Sequence, residues 1–177
     1  LVAQANRAAI ALSEVDRVAR QGGEHFAARG MAAARRAGCH WCCSHKITVS
    51  AGEALLIADA LHGDTVGAAK VRKQARNNRG LEQMDFVRRG TFCPFLTKDR
   101  RCGIYPVRPA VCRSFASIDA AACKEAWRVR TAEIGAPRPG WMAMAAGVAA
   151  FIQADEPRGE LCHMVVKALP LVPLFAL

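Results

Sequence analysis

The 177-residue sequence predicts a mainly α fold, a small single domain of about six helices with short extended segments and cysteine-rich loops around a metal centre. Three observations predict it. With 52% apolar residues the chain has enough material for a buried core and is set apart from disordered polypeptides. Apolar side chains recur at helical spacing toward both ends. Between them seven of the eight cysteines stand in segments rich in Pro, Gly and Arg, which have few other means of support. The expected organisation is one domain over 1–177, with a cysteine core over 38–123, N-terminal helices over 3–37 and C-terminal helices over 140–168.

Ala8, Leu12, Val15 and Ala19 share one face of a helix over 3–20, which Gly22 and Gly23 should end. A second helix, rich in Ala and Arg, is expected from Glu24 to Ala37, with Gly38 stopping it just before CHWCC. ITVS (47–50) reads as a short strand leading into the capping box Ser50-x-x-Glu53 and a helix over 51–62. A polar helix over 64–78 follows and stops at Asn78-Arg79-Gly80. Pro94, Pro106 and Pro109 exclude a continuous helix over 91–115, which should be extended chain and turns. Ser117 is the expected cap of a helix over 118–133 that carries Cys123, and two packing helices flank the Asp155-Glu156-Pro157 break. The apolar C-terminal stretch is interrupted by Lys167, Pro170 and Pro173 and is shorter than the roughly 20 residues of a membrane span. It reads as packing surface, and the N-terminal stretch shows no signal peptide. Eight cysteines in a chain too large and apolar to need disulfide staples suit a reducing, cytoplasmic compartment.

Twenty-five basic against fifteen acidic residues give a net charge of +10. Residues 70–113 hold twelve Lys or Arg against Glu82, Asp85 and Asp99, so nearly all the excess sits in one quarter of the chain. Such a region attracts nucleic acid or an acidic protein. It equally offsets a group of buried thiolates whose charge would otherwise be costly.

The cysteines form an ordered series. Cys39-x2-Cys42-Cys43 is followed by Cys93, Cys102, Cys112 and Cys123, separated by eight, nine and ten residues, while Cys162 stands apart. A C-x2-C turn sets two thiolates on one side of a bend, which suits zinc or an iron–sulfur cluster. One buried cysteine is usually a small hydrophobe. Seven so arranged point to a metal, and these seven are the expected ligands. Typical zinc modules present two C-x2-C knuckles, whereas here single cysteines from several loops join one knuckle. That favours iron, as an iron–sulfur cluster, with zinc as the alternative. His40 and His45 are expected in solvent or behind the ligands, and Cys162 in the core. Arg108 and Arg113 should donate N–H bonds to cluster sulfurs, and Tyr105 and Phe115 should cover the centre. Arg100 and Arg101 are expected at an exposed hairpin tip. No carboxylate pair stands beside a histidine and no glycine-rich nucleotide fingerprint is present, so no catalytic residue is identifiable. Cysteine nucleophiles stay open, since thiols near this much positive charge are expected to have lowered pKa values.

Cys39-x2-Cys42-Cys43, Cys93-Pro94-Phe95-Leu96 and Cys102-x-Ile104-Tyr105-x2-Arg108-Pro109-x2-Cys112-Arg113-x-Phe115 together resemble the YkgJ-like cysteine-cluster family, a CxxCxxCC-type domain associated with zinc or iron chelation. The resemblance runs from Gly38 to about Cys123 and includes the ITVS strand and the Glu53 helix. It implies a protein that holds metal through seven or eight thiolates more firmly than it implies a reaction. The family includes a domain of flagellin lysine N-methylases. The alternatives are therefore an iron–sulfur enzyme acting on a protein side chain, a structural zinc module with a basic nucleic-acid or protein-binding face, and a reversible metal carrier or sensor. Many members write the first cluster as C-x2-C-x2-C-C, and Arg36 stands at its leading position here. Cys162, followed by His163, is the candidate for the missing thiolate.

Overall fold

The structure is a computed structural model that describes residues 1–34, 36–131 and 140–174, without the side chains of Trp141 and Leu174. It is mainly helical, as expected, with eight α-helices among the described residues and one two-stranded sheet.

Helix α1 (Val2–Ala27) buries Ala5, Ala8, Ala11, Leu12, Val15, Val18 and Ala19 along one face. It runs straight through Gly22 and Gly23, correcting the expected break. Each glycine costs a helix about 1 kcal/mol relative to alanine, whereas burying a single valine returns about 1.5 kcal/mol or more. The separate helix over 24–37 does not form. Residues 24–27 extend α1, Gly30 turns the chain with φ 74°, and residues 31–34 carry no helix. Helix propensity there has no apolar stripe to bury, and Ala28, Arg29, Ala32 and Ala33 are exposed.

Strand β1 (Thr48–Ser50) pairs antiparallel with β2 (Arg158–Glu160), Val49 opposite Gly159. A partner strand at the 155–157 break was not expected, because Arg-Gly-Glu has no strand pattern of its own. Ser50 and Glu53 form the expected capping box at the start of α2 (Ala51–Ala60), with bonds of 2.8 and 3.2 Å. Gly52 lies so close to α1 that a Cβ would sit 2.4 Å from the Gln4 carbonyl oxygen. Asp64 caps α3 (Thr65–Asn78). The short α4 (Gln83–Arg89), ended by left-handed Gly90, was not anticipated. Nor was α5 (Ala110–Ser114), which starts after Pro109 as proline rules allow. Asp119, not Ser117, caps α6 (Ala120–Arg128), its Oδ1 accepting the Ala121 and Ala122 N–H groups at 2.7 and 3.0 Å. The last positions of the expected helix, 132–133, lie outside the described residues. Helices α7 (Trp141–Ile152) and α8 (Leu161–Ala168) are the two expected packing helices, and 3-10 turns over Leu169–Leu174 follow.

Helix α1 packs on α7, α2 and α5, joining Leu12, Val15 and Val18 to Ala110, Ala145 and Ala149. A larger cluster joins α2, α3, α8 and β1 through Val49, Ile57, Val71 and Val165. Phe95 and Ile104 from the cysteine-rich loops enter that cluster, and Cys93 and Cys102 lie against it. The loops are thus anchored by one apolar residue beside each of two cysteines. No described helix is long and apolar enough to cross a membrane.

Candidate metal centre

Cys42 and Cys43 occupy a 3-10 turn over Trp41–Ser44, and Cys39 lies just before it. The Cys43 N–H donates to the His40 carbonyl at 2.9 Å, and the Ser44 hydroxyl donates to the Trp41 carbonyl at 2.9 Å. His40 is only 4% exposed, not solvated. Its Nδ1 bonds the Gly38 carbonyl at 2.9 Å, which assigns the proton to Nδ1 and leaves Nε2 to accept from Arg100 Nη1 at 3.5 Å. Arg100 is therefore more than an exposed tip residue. It adopts left-handed φ 59° and reaches back to the first cysteine turn.

Cys93 and Cys102 belong to a hairpin. The Thr97 N–H donates to Arg101 at 2.9 Å, the Gly103 N–H donates to Phe95 at 2.8 Å, and Leu96 bridges Cys102. One further backbone bond, from the Cys93 N–H to the Cys43 carbonyl at 2.8 Å, docks this hairpin on the first turn. After the 3-10 turn Tyr105–Val107, helix α5 delivers Cys112. Glu53 positions α5 from a distance: one carboxylate oxygen accepts the Ala110 N–H at 2.7 Å and the other the Ser50 N–H at 2.8 Å.

These segments bring five thiols, Cys39, Cys43, Cys93, Cys102 and Cys112, within electrostatic reach of Cys42. Cys123, buried on α6, joins through Cys39, and Cys162 through Cys93. Cys39, Cys93 and Cys102 each accept an N–H bond from the residue two further on, Trp41, Phe95 and Ile104. Bonds of this kind favour the thiolate.

Desolvation acts the other way and prevails. Burial pushes the Cys93 thiol up to about 12. It also raises Cys39, Cys102, Cys112 and Cys162, while Cys43 is raised first by its hydrogen bond with Cys42 and then by burial. The expectation of lowered thiol pKa values is thus corrected: burial and mutual repulsion outweigh the nearby arginines. A soft cation among the thiols would reverse that balance. Among the described residues no group of three or more Cys, His, Asp or Glu side chains is placed where it could hold a metal ion.

Arg108 and Arg113 lower the Cys102 pKa against its burial. Both are buried and share Asp16 of α1: Arg113 Nη1 donates to Asp16 Oδ2, and Arg108 Nη2 lies 3.8 Å from Oδ1. Arg113 also donates to the Arg108 carbonyl, at 2.8 Å, and to the Pro106 carbonyl. Arg108 Nε is buried with no acceptor. Soft donors drawn from several loops, with the charge of Arg108 and Arg113 felt at Cys102, suit a thiolate-bound metal or cluster in kind. Tyr105 does not cover the centre as expected. It is 57% exposed and stacks on the Arg108 guanidinium, 3.9 Å from the ring centroid. Phe115 is half-buried, with its ring centroid 6.3 Å from that of His45.

Residues 35–133, more than half of the chain, match the CxxCxxCC family, described as a "putative zinc- or iron-chelating domain". The chain belongs to that family. No curated protein and no solved structure matches it.

Within the CxxCxxCC segment, sequence reasoning passed over Asp16, which lies before it yet holds both of its buried arginines. The role of Glu53 beyond its capping box was also missed, because a bond to Ala110 across 57 positions has no local signature. An aromatic wall went unnoticed too. Trp127 of α6 stacks on Phe92 at 5.4 Å and meets Trp41 at 5.4 Å, closing the first-turn side of the CxxCxxCC centre.

Proposed function

We propose that this protein holds iron, as an iron–sulfur cluster, through Cys39, Cys42, Cys43, Cys93, Cys102, Cys112 and Cys123, with zinc as the competing occupant. The observation that supports the reading is that thiols from three separate segments, all in partly buried surroundings, lie within electrostatic reach of Cys42. A set gathered singly from loops suits a cluster with several metal atoms better than one tetrahedral ion. Arg108 and Arg113 supply positive charge that is felt at Cys102, and Arg108 Nε is a buried donor without an acceptor. The whole chain acts as one domain, since the 38–123 loops rest on core residues of α2 and α8.

Anaerobic purification followed by an absorption spectrum and metal analysis tests this. A brown protein absorbing at about 400 nm, with several irons per chain, supports the cluster. A colourless protein with stoichiometric zinc sinks the cluster and leaves the zinc module. Absence of both metals, with Cys42→Ser indistinguishable from the parent chain, defeats the metal reading altogether.

A second reading concerns partners. Lys70, Arg72, Lys73, Arg76 and Arg79, along α3 and at its end, are exposed. This supports recruitment of nucleic acid or an acidic protein. Retention on nucleic acid that falls steeply with salt favours the former.

A further inference from the structure

We propose that the cleft between the end of α3 and α4 takes one unstacked pyrimidine base of a single-stranded nucleic acid; this rests on the nucleic-acid reading of the basic α3 given above. The cleft has a volume of about 130 Å³ and is lined by Gln74, Asn77, Asn78, Arg89 and Thr91, with Leu81 and Phe86 as its apolar part. A cavity of about 150 Å³ accepts benzene. The cleft therefore admits a single six-membered ring and is too small for the fused rings of a purine.

The lining matches the two kinds of surface that a base presents. Leu81 and Phe86 suit the apolar face of the ring. Gln74, Asn77 and Asn78 carry amides, which hold donors and acceptors together and pair with base edges. Their arrangement is set from behind by a carboxylate. Gln74 Nε2 donates to Asn78 Oδ1 at 2.9 Å, and the buried Asn78 passes this on through Nδ2 to Glu160 Oε1, also at 2.9 Å. Gln74 keeps its carbonyl oxygen and one N–H, the complement of the N–H and carbonyl edge of uracil or thymine. Arg89 Nη1 donates to the Asn77 carbonyl at 3.0 Å, which fixes the guanidinium at the cleft and keeps its other N–H groups for a carbonyl or phosphate oxygen.

Phosphates have partners of their own. Lys70 stands one helical turn before Gln74 and Lys73 one turn before Asn77, and both are exposed. A free anion suits the cleft less well. The cleft lies at the C-terminal end of α3, where backbone carbonyls carry partial negative charge, and the Glu160 carboxylate stands behind Asn78. A neutral base whose phosphate rests on the lysines meets neither repulsion.

Fluorescence anisotropy on the whole chain as purified tests the assignment, with three single-stranded probes of equal length and charge: oligouridine, oligoadenosine and an abasic strand. Oligouridine is expected to bind about tenfold more tightly than the other two, the worth of one bound base. Gln74→Ala and Asn77→Ala should remove that preference and leave the salt dependence unchanged. Lys70→Ala should instead weaken all three probes alike and lower the salt slope by about one. Oligouridine that binds no more tightly than oligoadenosine or the abasic strand overturns the proposal while leaving the nucleic-acid reading intact. A uridine preference that survives both amide substitutions does the same. Absence of binding to every probe at low salt overturns both. Should Gln74→Ala fail to fold, crosslinking of 4-thiouridine strands to the unaltered chain decides. The crosslink must fall within residues 74–91, and one that falls elsewhere refutes the assignment.

Discussion

The α1–α7 side of the molecule and the 91–115 loops are held by different physics. On the first, Leu12, Val15, Val18, Ala145 and Ala149 interlock, and stability comes from apolar burial repeated at every turn. On the second, Phe95 and Ile104 enter the larger core, Ala110 of α5 reaches the α1–α7 cluster, and between these few anchors single polar bonds hold the chain: Cys93 to Cys43, Ala110 to Glu53, Arg113 to Asp16. A segment of this kind folds well only if something further joins its thiols. On the metal reading proposed above, the α1–α7 framework is expected to stand without metal and the 91–115 loops to depend on it.

The largest expected effect is metal removal. A structural thiolate site can supply on the order of 10 kcal/mol to the fold it closes. Chelation should strip hydrogen-exchange protection from residues 91–115 and the Trp41–Ser44 turn while α1 and α7 keep most of theirs. Equal loss in both regions, or in neither, removes the distinction.

A scaffold lesion should give the opposite map. At Gly52→Ala the new Cβ meets the Gln4 backbone oxygen at 2.4 Å and Glu156 Oε2 at 2.9 Å, and neither the α1 backbone nor the buried carboxylate has room to retreat. Overpacking of this kind costs about 3 kcal/mol. Thermal unfolding of the metal-loaded chain should show it, and an unshifted midpoint would mean that α1 and α2 slide apart cheaply.

Asp16→Ala probes the joint between the two regions. It leaves Arg108 and Arg113 buried without their shared carboxylate, but Asp16 itself is half exposed, so water screens part of the loss. About 2 kcal/mol is expected in denaturant unfolding, with a weaker metal site as the companion effect. Unchanged metal affinity would show that the arginines are ordered by the Pro106 and Arg108 carbonyls alone.

The two regions also differ in how far the sequence discloses them. The periodicity of Ala8, Leu12, Val15 and Ala19 announces α1, and Ser50-x-x-Glu53 announces the start of α2, because one-dimensional spacing encodes both. The same logic overreached at Gly22 and Gly23, where packing outweighed propensity, and at 24–37, where propensity had nothing to pack against. The chelating family was legible from the spacing of the cysteines, and residues 35–133 match it. What positions them was not. Asp16, Glu53 and β2 act across 57 to 112 positions, and no local pattern records a partner so distant.

The smallest predicted effect tests Glu53, the residue in which the two regions meet. Burial raises its pKa above the ordinary 4.5, and the N–H bonds from Ala110 and Ser50 only partly oppose this. Between the unfolded and folded pKa values the folded chain therefore binds more protons than the unfolded one. Its contribution to stability is fully present below about pH 4.5 and is lost as pH rises through the raised folded value. Glu53→Gln should abolish that component of the pH dependence. It should also cost about 1 kcal/mol at neutral pH, because an amide has one acceptor oxygen and leaves either Ser50 or Ala110 without its partner. A denaturant series across pH on both chains measures the difference. If the two profiles run parallel, Glu53 is not the titrating link between α2 and the Cys112 helix.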